Sequence, residues 1–164
     1  MPDMHRLTGA GSITEVWYDG TYTEQRVIEA WKIIVKRYIG CPNVFAADVK
    51  NEPHGSATWG SGNAATDWPA AAQRIGNAIL GVNPKLLVFV EGVDHFGGVS
   101  SWWGGSLAGV PSHPVKLSVP NKIVYSPHCY GPSVASQPAF SAGNSSRRVS
   151  RRRPWPNSHR EKLR

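Results

Sequence analysis

Short apolar runs that end in polar residues alternate along this chain with segments whose apolar positions repeat at the helical period. Three runs are apolar at most positions, which is typical of strands buried on both faces. They cover residues 43–47, 86–90 and 122–125. Polar side chains follow each of them directly. The pattern predicts three buried strands with polar groups at their carboxyl ends.

Two helices are predicted, one before the first run and one between the first and the second. Apolar residues three or four positions apart define one face of the earlier helix: Val27, Trp31, Ile34 and Tyr38, with Thr23 at the start and Gly40 and Pro42 at the end. The same spacing defines the later helix: Trp68, Ala72, Ile75, Ile79 and Val82, with Asp67 as a cap and Asn83-Pro84 at the end. Regular alternation of helix and strand predicts parallel βαβ units and an α/β fold.

The most distinctive strand end is Asn51-Glu52-Pro53. It brings a carboxyl group and an amide to the rim of the sheet, and the proline prevents the strand from continuing as a regular ladder. In parallel α/β folds the carboxyl ends of the strands are where catalytic groups are usually placed. Glu52 is therefore the first candidate for chemistry.

Net charge is concentrated at the carboxyl terminus. Residues 141–164 contain eight of the 18 Lys and Arg residues but a single acid, Glu161, whereas residues 1–140 hold ten basic and ten acidic residues. A Ser- and Arg-rich segment with few apolar residues is expected to be disordered. The whole-chain charge of +7 is thus a property of this tail.

Two interpretations of the basic tail are open. It is either an arm that binds polyanions such as nucleic acid, or non-homologous sequence joined to the rest by a frame change, alternative splicing or an error in gene prediction. The second is favoured, so nucleic acid is not an expected partner. We expect the domain boundary near residue 140.

Five motifs in order resemble glycoside hydrolase family 5, specifically its cellulase (endo-1,4-β-glucanase) members, over about residues 1–140. They are Asp3-Met4-His5, the run from Asp48 to His54 with Trp59-Gly60, the run from Phe89 to Val93, Trp102-Trp103-Gly104-Gly105, and the run from Tyr125 to Tyr130. The resemblance implies a (β/α)8 TIM barrel, which needs about 250 residues. A partial barrel covering about strands three to six is expected here.

The resemblance also implies roles for particular residues. Glu52 matches the general acid/base of a retaining double-displacement mechanism on β-1,4-glucan, and Asn51 matches the amide that binds the sugar 2-hydroxyl. The other matches border the cleavage point or stack on glucose rings: His5, His128 and Tyr130 in the first group, and Trp103, with Trp59 and Trp102 less surely, in the second. The family's nucleophile lies on the seventh strand, beyond the matching region.

Several expectations follow from that absence. The chain is expected to be inactive alone, because no nucleophile strand is matched, and to self-associate through open barrel edges. Glu91, the second carboxylate at a strand end, is interpreted as a structural or rim group rather than a nucleophile. A carbohydrate-binding remnant without catalysis remains an alternative to the enzyme, as does polyanion binding by the tail.

Other classes of function are disfavoured. The six histidines have no metal-ligand spacing, and residues 60–65 follow no strand as a dinucleotide loop would, so no metal or cofactor is expected. No apolar stretch has the length of a signal peptide core or a membrane span, so no membrane association is expected. The resemblance implies an extracellular parent protein that acts on β-glucan polysaccharide or oligosaccharide.

Overall fold

Three parallel strands form the core sheet in the computed structural model, which describes residues 1–131 and 133–135. The strands are β1 (Ala46–Asp48), β2 (Leu87–Val90) and β5 (Ile123–Tyr125), in the spatial order β1-β2-β5. Their register pairs Ala47 with Val88, and Phe89 with Val124. All three predicted strands are present and parallel, so this prediction is confirmed, although each strand is shorter than its apolar run.

The amino-terminal segment extends this sheet on the side of β1. Asp3 forms a parallel bridge with Asp48, and the backbone N–H of Asp48 donates to the carbonyl of Pro2 at 2.9 Å. The N–H of Asn51 in turn donates to the carbonyl of Met4 at 3.1 Å. Four chain segments therefore run in parallel, and the residues that follow them meet at one edge.

Helix α1 (Glu24–Arg37) begins where the sequence predicts. The hydroxyl of Thr23 accepts from the N–H of Arg26, and the buried residues are Val27, Trp31 and Val35. The predicted apolar face was partly wrong at its carboxyl end, since Tyr38 is the C-cap and its side chain is 43% exposed. The indole Nε1 of Trp31 donates to the carbonyl of Val49 at 3.2 Å, which joins the helix to the segment after β1.

Helix α2 (Trp68–Val82) has the predicted bounds, but Asp67 does not cap it through its side chain. Instead, the Asp67 carboxylate accepts from the backbone N–H groups of Gly60 and Gly62 and so closes the loop before the helix. In the first turn, the indole Nε1 of Trp68 donates to the carbonyl of Glu91 at 2.8 Å. Helix α2 thereby fixes the chain at the carboxyl end of β2.

One element was missed by the sequence interpretation. Strands β3 (His95–Phe96) and β4 (Val99–Ser100) form an antiparallel hairpin after β2. Its turn residues Gly97 and Gly98 have φ angles of 59° and 79°, the left-handed values that a two-residue hairpin turn of this kind requires. The Gly-Gly pair was the available signal.

The predicted disordered tail, residues 141–164, lies outside the described residues. No described helix has both the length and the hydropathy that a bilayer span requires.

The core of the described residues lies between the two helices and the sheet, where Ile75, Ile79, Val88 and Val90 are fully buried.

Replacing Ile75 by alanine should test this core. The side chain of Ile75 is fully buried, so Ile75→Ala should lower the free energy of unfolding by about 2–5 kcal/mol. The matched control is Ile33→Ala, which removes the same atoms from a side chain that is 69% exposed and should change stability by less than about 0.5 kcal/mol. Urea unfolding measures both, and equal effects would contradict the packing described.

Candidate active site

Glu52 lies just beyond the carboxyl end of β1 in an uncommon backbone conformation. Its φ angle is 52°, in the left-handed region that non-glycine residues seldom occupy. The residue is 9% exposed, and its backbone N–H donates to Oε2 of Glu91 at 2.7 Å. A residue held in this region costs about 1–3 kcal/mol and persists only where its surroundings impose it. The bond to Glu91 is one such constraint.

Two side chains from the segment after β5 converge on one oxygen of Glu52. Nδ1 of His128 and the hydroxyl of Tyr130 each lie 3.0 Å from Oε1 of Glu52. The phenol donates this bond, and the hydrogen bond to Glu52 raises the pKa of Tyr130. His128, Tyr130 and Glu52 are thus brought together, as the order of the strand ends predicts.

Glu91 occupies the corresponding position after β2 and is only 1% exposed. Its Oε1 lies 3.1 Å from Nε2 of His128, so the imidazole is positioned between two carboxyl groups. Burial, reinforced by the nearby charge of Asp48, raises the pKa of Glu91 to about 9. Burial therefore favours the neutral, protonated form of Glu91.

Gly104 provides the space that the Glu91 carboxyl group occupies. Its φ angle is 67°, and a Cβ atom built on it would stand 2.3 Å from Oε2 of Glu91. The carbonyl of Gly104 accepts from the N–H groups of both Gly92 and His128. The loop that carries Trp102 and Trp103 is thereby attached to the segment after β2, which carries Glu91, and to the segment after β5, which carries His128.

Further charged groups lie buried beneath these residues. Burial lowers the pKa of Lys50 to about 8, and its ammonium donates to the carbonyl of Asn51. Burial, together with the charge of Asp3, raises the pKa of Asp48 to about 7. Desolvation thus disfavours the charged form of acid and base alike.

An open cavity of about 410 Å³ lies above Glu52. Its lining residues are Glu52, Ser101, Trp102, Trp103, Tyr130 and Val134. The indole of Trp103 is stacked on the imidazole of His54 with ring centroids 3.7 Å apart, and the residue remains 47% exposed. Trp102 contacts the ring of Tyr130 edge-on at 5.2 Å. The cavity therefore combines one carboxyl group with aromatic surface.

Two further predicted site residues, Asn51 and His5, lie outside the cavity lining. Asn51 is buried next to Glu52, and its Nδ2 has no hydrogen-bond partner among the described residues. His5 follows Met4, which bonds to Asn51, but its exposed ring contacts Asp3 at 2.9 Å rather than Glu52. Neither residue lines the cavity.

Trp59 is not brought to the cavity. It is 5% exposed, and its Nε1 donates to the carbonyl of His113 at 2.9 Å. Its ring packs near that of Tyr125, with centroids 6.2 Å apart. This burial corrects the expectation that Trp59 stacks on glucose, because the indole has almost no surface left to offer.

Glu91 was interpreted from the sequence as a structural or rim group. It is 1% exposed and accepts from the backbone N–H of Glu52, and it also lies beside the ring of His128, contacts that the sequence did not predict. Its position directly after a strand, like that of Glu52, was the available signal.

Within residues 1–131 and 133–135, no group of three or more His, Cys, Asp or Glu side chains could hold a metal ion.

The chain is similar to known proteins along most of its length. The family model "Cellulase (glycosyl hydrolase family 5)" matches residues 3–161. An endoglucanase of Paenibacillus polymyxa is 57% identical over 141 residues, which are 84% of this chain and 35% of that protein. The "Major extracellular endoglucanase" of Xanthomonas campestris pv. campestris is 41% identical over 146 residues, 85% of this chain and 30% of that protein. The chain therefore spans about a third of the length of these curated relatives.

Solved structures give the same result. The catalytic domain of the major endoglucanase from Xanthomonas campestris pv. campestris has a TM-score of 0.77 at 43% identity, covering 88% of this chain and 42% of that one. An endocellulase from Pyrococcus horikoshii, also studied as complexes with cellotetraose, has a TM-score of 0.80 at 42% identity, covering 88% and 44%. The described part is thus a portion of a (β/α)8 barrel, as predicted. The expected boundary near residue 140 stays a prediction.

Removing the Glu91 carboxyl group should flatten the pH dependence of stability. Folded Glu91 keeps its proton up to a pKa of about 9, whereas the unfolded residue releases it near 4.5. The folded state binds more protons in this range, so the free energy of unfolding should fall as pH rises, by about 1 kcal/mol per pH unit. Asp48 adds a similar fall up to its pKa of about 7.

The measurement is urea unfolding between about pH 5 and about pH 8, below the range where the lowered pKa of Lys50 acts in the opposite direction. Glu91→Gln should remove the contribution of Glu91 and leave that of Asp48. Glu29→Gln, at an exposed position on α1, is the matched control and should retain the full slope. Identical slopes in Glu91→Gln and the unaltered chain would contradict the assignment of a proton to Glu91.

Proposed function

Because the chain belongs to the cellulase family of glycosyl hydrolases, family 5, we propose that it carries the acid/base part of a retaining active site for β-1,4-glucan, with Glu52 as the acid/base. The observation that supports this most directly is the position of Glu52. It lies at the base of an aromatic-lined cavity, and His128 and Tyr130 both contact its Oε1. The left-handed φ angle of Glu52 is a strained backbone conformation, and such conformations cluster at functional sites.

In the proposed reaction Glu52 acts twice. It first donates a proton to the glycosidic oxygen as the bond from that oxygen to the anomeric carbon breaks. It then takes a proton from the water molecule that attacks the anomeric carbon in the second step. Oε1 is engaged by His128 and Tyr130, while Oε2 has no hydrogen bond within the described residues, which makes Oε2 the proposed site of proton transfer.

We propose that the nucleophile of this mechanism is not supplied by this chain. Retaining hydrolysis needs a second carboxylate about 5 to 5.5 Å from the first, facing the same sugar. Glu52 is the one carboxyl group of the described residues that lines the cavity, whereas Glu91 is buried and its raised pKa favours the neutral form. A buried carboxyl group that does not reach the cavity is not placed to attack an anomeric carbon.

The proposed substrate is a β-1,4-linked glucan or oligosaccharide. Flat indole surfaces suit the apolar faces of glucose rings, and Trp103 presents such a surface beside Glu52. Asn51 is proposed to bond the sugar 2-hydroxyl through its unpartnered amide, and His5 to contact the sugar at the cleavage point. We also propose extracellular action for the whole protein, by analogy with the Xanthomonas relative that is named extracellular.

Binding of cellotetraose should depend on Trp103. Titration of the ¹⁵N-labelled chain should shift the indole N–H signals of Trp102 and Trp103, and Trp103→Ala should abolish saturable binding by removing the stacking surface. Phe45→Ala is the matched control, because Phe45 is an exposed aromatic residue at the opposite end of β1 and its loss should leave binding unchanged. Maltotetraose, with α-linkages, should not bind. Equal loss in both variants would contradict the assignment of the cavity as the sugar site.

The 164-residue chain should release no reducing sugar from carboxymethylcellulose above a blank, because Glu52 is the one carboxyl group that faces the cavity among the residues that the structure describes. The measurement is a reducing-end assay of the purified chain beside Glu52→Gln. Turnover that disappears in Glu52→Gln would show that a nucleophile is present within this chain. The proposed external origin of that group would then be wrong.

A further inference from the structure

We propose that His54 is a positioning residue for sugar recognition: its imidazole, hydrogen-bonded to the backbone of Glu52, fixes the plane of the Trp103 indole. This inference rests on the proposed function, in which Trp103 stacks on the sugar beside Glu52. His54 is 6% exposed and does not line the cavity, so it acts through Trp103 rather than by touching the sugar.

The first step of the argument is that the His54 ring is held in one orientation. Its Nδ1 lies 2.7 Å from the carbonyl oxygen of Glu52, and because a carbonyl can only accept, Nδ1 carries the hydrogen. The backbone of His54 is fixed as well, since its N–H donates to the carbonyl of Glu15 at 3.1 Å and its carbonyl accepts from the N–H of Ala57 at 3.0 Å. These bonds define the plane of the ring independently of Trp103.

The second step is the contact between the two rings. The imidazole of His54 and the indole of Trp103 are parallel to within 7°, with centroids 3.7 Å apart, so one face of the indole lies against the imidazole. Trp103 is nonetheless 47% exposed and lines the cavity. One face of a flat ring is thus covered by a buried residue, which leaves the opposite face available to a sugar.

The third step is that the stack restricts a side chain that would otherwise rotate more freely. Trp103 belongs to a loop, and among the described residues His54 is the one aromatic ring that it contacts. The backbone brings the two residues together, because the N–H of Gly104 donates to the carbonyl of Pro53 at 3.1 Å. A side chain that is already ordered loses less conformational entropy when a ligand binds. The stack on His54 therefore prepares the indole for a sugar.

The consequence is a fixed relation between the stacking surface and the acid/base. The same imidazole bonds to the Glu52 carbonyl through its edge and contacts Trp103 through its face. The plane of the indole is thus tied to the residue whose carboxyl group lines the cavity. A glucose ring stacked on Trp103 is therefore held at a defined distance from Glu52.

Two variants of His54 separate this role from a merely structural one. His54→Phe keeps an aromatic face for Trp103 but removes the N–H that bonds to Glu52. His54→Asn keeps an amide N–H near the position of Nδ1 but removes the ring. A role through the stack and a role through the hydrogen bond therefore predict opposite orders for the two variants.

Cellotetraose titration of the ¹⁵N-labelled chain measures that order. If His54 acts through the stack, the Kd should rise by about three- to tenfold in His54→Asn, which loses one aromatic pair, and by less than about twofold in His54→Phe. If His54 only holds the backbone of Glu52, His54→Phe is the weaker binder. His113→Asn, at an exposed histidine outside the cavity lining, is the matched control and should leave the Kd unchanged.

Two measurements without sugar test the stack itself. Nuclear Overhauser contacts should join the ring protons of His54 and Trp103 in the unaltered chain, and ¹H–¹⁵N correlation should place a proton on Nδ1 of His54. The Trp103 ring protons, assigned with Trp103→Ala, should lose their ring-current shift in His54→Asn and retain one in His54→Phe.

Three results would overturn the proposal: no contact between the two rings in the unaltered chain; a His54 ring without a proton on Nδ1; or a folded His54→Asn that binds cellotetraose as tightly as the unaltered chain or more tightly than His54→Phe. The first two need no variant to fold. If the unaltered chain binds no cellotetraose, the proposed function fails, while the ring contact and its loss in His54→Asn still decide whether His54 positions Trp103.

Discussion

The hydrogen bond from the Glu52 backbone N–H to the Glu91 carboxyl group is the constraint on which the site depends. It joins the carboxyl ends of the neighbouring strands β1 and β2, and it holds Glu52 in a left-handed conformation. With an extended backbone the strand would continue and its side chain would not turn into the cavity. The following Pro53 and the bond from Gly104 N–H to its carbonyl complete the turn. Local backbone strain is thus offset by contacts that come from distant parts of the sequence.

The same constraint explains why so many polar groups are buried at one end of the sheet. Parallel strands deliver their next residues to a common edge, so Asp48, Lys50, Glu52 and Glu91 are buried close together, with the exposed Asp3 beside them. Keeping buried groups such as Glu91 and Lys50 ionised would cost roughly several kcal/mol each. Burial accordingly raises the pKa of Glu91 and Asp48 and lowers that of Lys50, which favours the neutral form of each. Glu52 is the carboxyl group of the described residues that lines the cavity.

The aromatic loop after β4 depends on this arrangement as well. Gly104 lies so close to the Glu91 carboxyl group, and Gly105 to the carbonyls of Trp102 and His128, that no side chain would fit. Trp102 and Trp103 therefore line the cavity together with Glu52, and the stacking of Trp103 on His54 joins this aromatic surface to the residue two positions after Glu52. The loop, the carboxyl pair and the segment after β5 form one connected unit rather than separate features.

The amino-acid sequence by itself determined the three core strands and both helices. Apolar runs and helical spacing predicted β1, β2, β5, α1 and α2, since burial periodicity is a local property, and the Asn51-Glu52-Pro53 motif made Glu52 the candidate acid/base. The contacts of Glu91 and the burial of Trp59 were decided only by the tertiary structure. The local sequence around a strand-end glutamate or an isolated tryptophan does not distinguish an exposed side chain from a buried one. Their surroundings come from segments tens of residues away, and the fold alone brings those segments together.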